Sequence, residues 1–151
     1  MAAVETPGGI DAFCGTWRLR ADQSRYEQGK PPREGVYWIE RDGDWLLFSA
    51  RWVSADGRRL EMSFAGRPDG QPHPYEDPAV ADTVTTTLVD ARTLDTTADK
   101  DGRVAAHGRR VLSPDGRVMT VTQSGTAPDG TPFANVSIYD RVEESPGRAA
   151  R

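Results

Sequence analysis

The sequence predicts an all-β chain closed into an up-and-down antiparallel β-barrel of about ten strands. Three observations carry that prediction. The dipeptide Asp-Gly recurs at Asp42-Gly43, Asp56-Gly57, Asp69-Gly70, Asp101-Gly102, Asp115-Gly116 and Asp129-Gly130. Successive copies lie 13 or 14 residues apart, except for a gap of 32 between Asp69 and Asp101. The segments between them are rich in β-branched and aromatic residues and alternate in polarity, with no sustained helical period.

Each element follows from local chemistry. Asp and Gly both tolerate positive φ, which tight hairpin turns require. The spacing leaves roughly 9–10 residues per strand, which is long for a strand. Strands joined in succession make a meander, and a long meander removes its exposed edges by closing on itself. Leu60, Met62 and Phe64 alternate with Arg59, Glu61 and Ser63. Val84 and Leu88 alternate with Thr83, Thr85 and Thr87, and Val136 and Ile138 alternate with Asn135 and Ser137. Residues 21–35 are Gln-, Gly- and Pro-rich and read as a loop, with room for a helical turn near Asp22-Gln23-Ser24.

The long gap holds more than one strand. Asp90-Ala91-Arg92 suits a turn between strands at 84–89 and 93–98. Upstream, Gln71-Pro72-His73-Pro74-Tyr75-Glu76 reads as a short return strand limited by its prolines. Including it makes about ten strands, and omitting it makes about nine. A meander closes antiparallel only with an even number, which favours ten. Turns alternate between the barrel ends, so ten strands place the 21–35 loop, the Asp56-Gly57 turn and residues 77–81 around one mouth. Nine strands would move the Pro-rich segment to the opposite end.

At 151 residues the chain fits one domain. The expected division is a flexible segment over 1–12, a barrel over 13–143 and a disordered tail over 144–151. The formal net charge is -4 and the pI about 5.2, which argues against a phosphate-binding surface for nucleic acid. Arg58-Arg59 and Arg109-Arg110 read as solvated strand residues. The single cysteine, Cys14, excludes an intrachain disulfide and a cysteine-rich zinc site, and reads as a small buried hydrophobe. The N-terminus has no basic start followed by an apolar run, and no segment matches a membrane span. The expectation is a cytoplasmic monomer or homodimer. His73 and His107 are too far apart in sequence to suggest a metal site, and no phosphate loop, dinucleotide fingerprint, nucleophile elbow or EF-hand loop is present. No cofactor is expected.

The run Phe13-Cys14-Gly15-Thr16-Trp17 resembles the Gly-x-Trp that opens the first strand of the calycins, the lipocalins and fatty-acid-binding proteins. In those families the Trp plugs the closed end and packs under a basic residue of the last strand. The resemblance implies that role for Trp17, with Arg141 as its partner. The span from Gly15 to Val142 is also similar to a group of small bacterial lipocalin-like proteins, through Ala81-Asp82-Thr83-Val84, Gly108-Arg109-Arg110-Val111, Ser113-Pro114-Asp115-Gly116 and Asn135-Val136-Ser137-Ile138-Tyr139-Asp140. Fatty-acid-binding proteins hold a carboxylate with Arg-x-Tyr on the last strand. Here the order is reversed, Tyr139-x-Arg141.

Two functions fit such a chain, beside a purely structural or protein-interaction role with a solid core. The first is a carrier or sensor that encloses a small, largely apolar or aromatic molecule. Trp38, Trp45 and Trp52 crowd neighbouring strands with Tyr37, Phe48 and Phe64. Trp38 and Trp52 are the preferred lining residues, with Met62 and Phe64 on the next strand and Tyr26, His73 and Tyr75 at the mouth. Glu76, Asp77 and Asp82 accompany His73 there. The second is a cofactor-free cyclase or isomerase that uses the same cavity. His73 and Tyr75 would then be catalytic, with Tyr26 and Glu40 as further suspects. His107 reads as a surface or satisfied residue.

Overall fold

The computed structural model describes residues 9–27, 30–126 and 129–142. The expected tail at 144–151, and most of the expected flexible segment at 1–12, lie outside them. The strands are β1 (Gly15–Leu19), β2 (Arg25–Tyr26), β3 (Glu34–Asp42), β4 (Trp45–Val53), β5 (Arg59–Gly66), β6 (Pro72–Pro74), β7 (Thr83–Asp90), β8 (Thr93–Lys100), β9 (Arg103–Leu112), β10 (Val118–Thr126) and β11 (Pro132–Val142). They form one antiparallel sheet in the order β5-β4-β3-β1-β11-β10-β9-β8-β7-β6. The two-residue β2 pairs with β11 where β1 has ended. Ten strands therefore go round the barrel, and the return strand that parity required is β6. None of the described helical segments is long and apolar enough to cross a membrane.

The turns do what their sequence demands. The glycines of all six Asp-Gly pairs have positive φ, between 62° and 93°. At four of them the aspartate also accepts a backbone N–H two residues on, from Arg58, Gln71, Arg117 and Thr131. These carboxylates are held below the ordinary range by hydrogen bonds to the charged form: chiefly from the Ser54 and Ser113 hydroxyls at Asp56 and Asp115, with the backbone N–H second, and chiefly from the backbone N–H at Asp69 and Asp129. At these four turns the dipeptide thus supplies both the φ and a hydrogen bond.

The barrel is nearly closed, with a seam between β5 and β6. Its cause is the pair of prolines. The Tyr75 N–H reaches across to the Asp82 carbonyl on the β7 side, so the donors of His73 and Tyr75 face β7. Pro72 and Pro74 point the other way and have no N–H to offer β5. Side chains bridge the seam instead. Gly66 of β5 lies against Thr86 of β7, and the Trp45 ring meets His73 edge-on at 5.1 Å. A Cβ at position 66 would collide with the Thr86 hydroxyl and press on Phe48. Gly66→Ala is expected to cost about 1–3 kcal/mol by overpacking, read as a lower urea midpoint.

One end is sealed by the N-terminal segment. Residues Ile10–Phe13 form a 3-10 turn, and Phe13 and Trp17 are fully buried. The Trp17 indole N–H donates to the Phe13 carbonyl at 3.0 Å. Arg141 lies over the Trp17 ring, its Cζ 4.3 Å from the centroid. Gly15 has φ 139°, and any Cβ there would sit 2.7 Å from Arg141 Nη1. That close approach is why the residue two before the Trp is glycine. Above this floor Ile39, Leu46, Phe48, Leu94 and Met119 are fully buried and form the core of the lower barrel.

The outer face carries ion pairs. Arg109 grips Asp95 with two bonds of 2.8 Å, and His107 lies 3.5 Å from the same carboxylate. Arg109, then burial opposing it, then the nearby charges leave the Asp95 carboxyl below its ordinary range. A depressed folded pKa contributes stability above the unfolded value, near 3.9, and loses it as pH falls through the folded value. Asp95→Asn is therefore expected to lower the urea midpoint at neutral pH and to converge with the parent protein in strong acid.

Candidate functional site

Two compartments lie in the half of the barrel away from Trp17. A first compartment of about 270 Å³ lies under the loop between β1 and β3, with Leu19, Tyr26, Pro32, Ala50 and Trp52 among its walls. A second of about 240 Å³ lies towards β6 to β8, with Phe64, Tyr75, Ala81 and Val84. Met62, Arg110 and Gln123 border both, so the two are neighbouring parts of one interior.

Arg110 is the unexpected residue. It is 3% exposed, with its guanidinium inside the barrel rather than in solvent as its sequence context suggested. The reason is phase. On β9, Gly108, Arg110 and Leu112 face inward and are buried, whereas Arg109 and Val111 face out. The partners of Arg110 are all neutral. Its Nε and Nη2 donate to the Tyr37 hydroxyl at 3.0 and 2.7 Å, and Nη1 donates to Thr96 Oγ1 at 3.2 Å. Its Cζ lies 4.7 Å from the Phe48 ring centroid, a cation–π contact. Gly108 makes room for this arrangement, because a Cβ there would crowd Thr96 Oγ1 at 3.1 Å. Among the described residues that line either compartment there is no Asp or Glu, while Lys30 and Arg51 border the first. A buried cation without a carboxylate is costly, since hydroxyls replace only part of its hydration.

A stripe of hydroxyls runs beside Arg110 on β11. Ser137 and Tyr139 face inward, and the apolar Val136 and Ile138 take the outer side. Tyr26 Oη lies 3.0 Å from Ser137 Oγ. The Tyr139 ring packs on Tyr37, centroids 5.6 Å apart. Burial, with smaller contributions from Tyr37 and Tyr26, pushes the Tyr139 phenol far above its ordinary range.

The residues singled out from sequence fall in several places. Tyr26, Trp52 and Met62 border the first compartment, and Met62, Phe64 and Tyr75 border the second. Trp38 does not reach the interior. Its neighbours Tyr37 and Ile39 point inward, so Trp38 faces an outer groove under the Arg51 guanidinium, whose Cζ is 5.5 Å from its ring. His73 is not beside Tyr26 either. Its Nε2 lies 2.9 and 3.1 Å from the two Asp69 oxygens, and its ring meets Trp45 at the seam. Glu40, opposite Leu47 in the β3–β4 ladder, has the outward phase of Trp38. The four suspected catalytic residues are therefore not brought together. Cys14 is half-buried, its thiol near the Ile10 carbonyl and its pKa raised chiefly by burial. Among the described residues no cluster of three or more His, Cys, Asp or Glu could hold a metal ion.

Sequence reasoning missed Arg110, Tyr37, Tyr139, Ser137 and Gln123. A signal for Arg110 was present in the alternation Gly108, Arg110, Leu112. The adjacent Val111 and Leu112 make either phase equally apolar, so that signal does not choose a side.

The meander, the sealed Trp17 end and the compartments of the opposite half define a calycin-type barrel. No family model and no curated protein matches the chain. Among solved structures it is similar to zebrafish ileal bile acid-binding protein, crystallised with cholic acid, at 15% identity and a TM-score of 0.53, over 87% of this chain and 99% of that one. It is also similar to apo Caenorhabditis elegans lipid binding protein 8, at 10% identity and a TM-score of 0.55, over 91% of this chain and 100% of that one. At such identities the likeness is one of fold.

Proposed function

We propose that the barrel is a carrier or sensor for a small molecule with an apolar or aromatic body and an anionic head. The observation that carries this reading is Arg110, a buried cation whose partners in the interior are hydroxyls. A bound anion would supply the missing countercharge, and a desolvated pair of that kind is strong. Trp52, Leu19, Ala50 and Met62 supply the apolar wall for the body. The binding of cholic acid by the zebrafish barrel, and the lipid-binding name of the nematode one, support a ligand of this class.

The test compares two fluorescent probes of one skeleton, 1-anilinonaphthalene-8-sulfonate and the neutral N-phenyl-1-naphthylamine. Arg110→Met is expected to weaken the sulfonate about tenfold or more and to leave the neutral probe within about twofold. Equal losses for both probes, or no binding of either by the parent protein, would sink the reading.

A further inference from the structure

The hydrogen-bonding capacity of the interior narrows the head group further, and this step rests on the anionic reading above. A phenol oxygen has two lone pairs and one O–H. The Nε and Nη2 donors of Arg110, at 3.0 and 2.7 Å, fill both lone pairs of Tyr37. Tyr37 is left with one role, to donate its own proton. Its donation is strengthened, because a hydroxyl that accepts from a cation becomes a better donor. Tyr139 brings a second phenol O–H to the same wall. Ser137, two residues before it on the same face of β11, pairs with Tyr26. The Tyr37 and Tyr139 rings touch, and both border the first compartment, where no described residue is acidic. Tyr37 and the guanidinium can only donate, and Tyr139 adds a second phenol O–H beside them. Such a set complements an oxygen that carries negative charge. A carboxylate spreads its charge over two atoms, whereas a phenolate or enolate places most of it on one.

We propose that Tyr37, Tyr139 and Arg110 form an oxyanion site that selects a phenolic or enolic ligand and holds it ionised. The proton leaves the ligand for solvent as the O⁻ takes up the waiting O–H and N–H bonds. A weak acid should therefore ionise at lower pH when bound than when free.

4-Nitrophenol reports this directly, since its phenolate is yellow and its acid form is colourless. Its binding is first established by displacement of 1-anilinonaphthalene-8-sulfonate. The bound nitrophenol is expected to show its colour transition about one pH unit or more below the free compound. Tyr37→Phe and Tyr139→Phe should each move the transition back towards the free value, with N-phenyl-1-naphthylamine binding used to verify an intact barrel. A bound transition that is unshifted or raised overturns the inference, as does a shift that survives both substitutions. Failure of nitrophenol to displace a sulfonate that does bind overturns it too, and leaves the carrier reading standing. Failure of the sulfonate and of N-phenyl-1-naphthylamine to bind removes both.

Discussion

Arg110→Met should yield a protein that resists urea better than the parent while losing its grip on an anion. The guanidinium is 3% exposed, and Tyr37 and Thr96 answer it with neutral oxygens alone. Removing a charge from water costs several kcal/mol, and neutral hydroxyls recover only part of that. Methionine has a flexible unbranched chain that can follow the same path past Phe48 and Met62 without a charge. The hydroxyls it leaves behind border the open compartments, Tyr37 the first and Thr96 the second. The expected gain is about 1–3 kcal/mol, read as a higher urea midpoint at unchanged slope. A loss of comparable size would mean that Arg110 holds β9 to β3 through Tyr37 as a structural tie, and the functional assignment would then lose its main support.

Arg141 should behave in the opposite way. Its three nitrogens donate to three different backbone carbonyls, Gly116 at 2.9 Å, Cys14 at 2.8 Å and Ala12 at 2.6 Å. Its plane covers Trp17, and Gly15 is shaped around it. One side chain thus ties the N-terminal turn, β1 and the β9–β10 hairpin at the sealed end. Arg141→Ala is expected to cost about 3–5 kcal/mol, because it strands those carbonyls and uncovers the indole together. Arg141→Lys should recover only part of this, since an ammonium is a point donor and cannot span three carbonyls from one plane. Urea unfolding followed by Trp fluorescence measures both. An alanine variant within about 1 kcal/mol of the parent would show that the floor is held by Phe13 and Trp17 packing alone.

These two arginines mark the boundary between sequence and tertiary structure. Arg141 was legible through the resemblance to the calycins, whose Gly-x-Trp is a local motif. Gly15 and Trp17 are two residues apart, and a positive φ and an aromatic plug leave a recognisable trace. The hairpins were legible locally, since each Asp-Gly carries its own turn conformation. Even β6 could be counted, because a meander closes antiparallel only with an even number of strands, while Pro72 and Pro74 keep it short.

The phase of the strands was a different matter. A period of two establishes that a strand has two faces and leaves open which one is inside. Where one face is apolar and the other charged, as at Leu60, Met62 and Phe64 against Arg59 and Glu61, burial chooses. On β3 both faces are aromatic, so Tyr37 went inward and Trp38 outward with nothing local to decide it. On β11 the choice ran against polarity, since Ser137 and Tyr139 face the cavity and Ile138 does not. On β9 the register shift opposite Ala98 and Asp99 changes the pairing before Arg110 is reached. A meander of Asp-Gly hairpins was thus written into the chain by local conformational preference. Which arginine of the Arg109-Arg110 pair meets water, and which is buried in the barrel interior, was settled by closure of the ring, because that alone fixes every strand's facing at once.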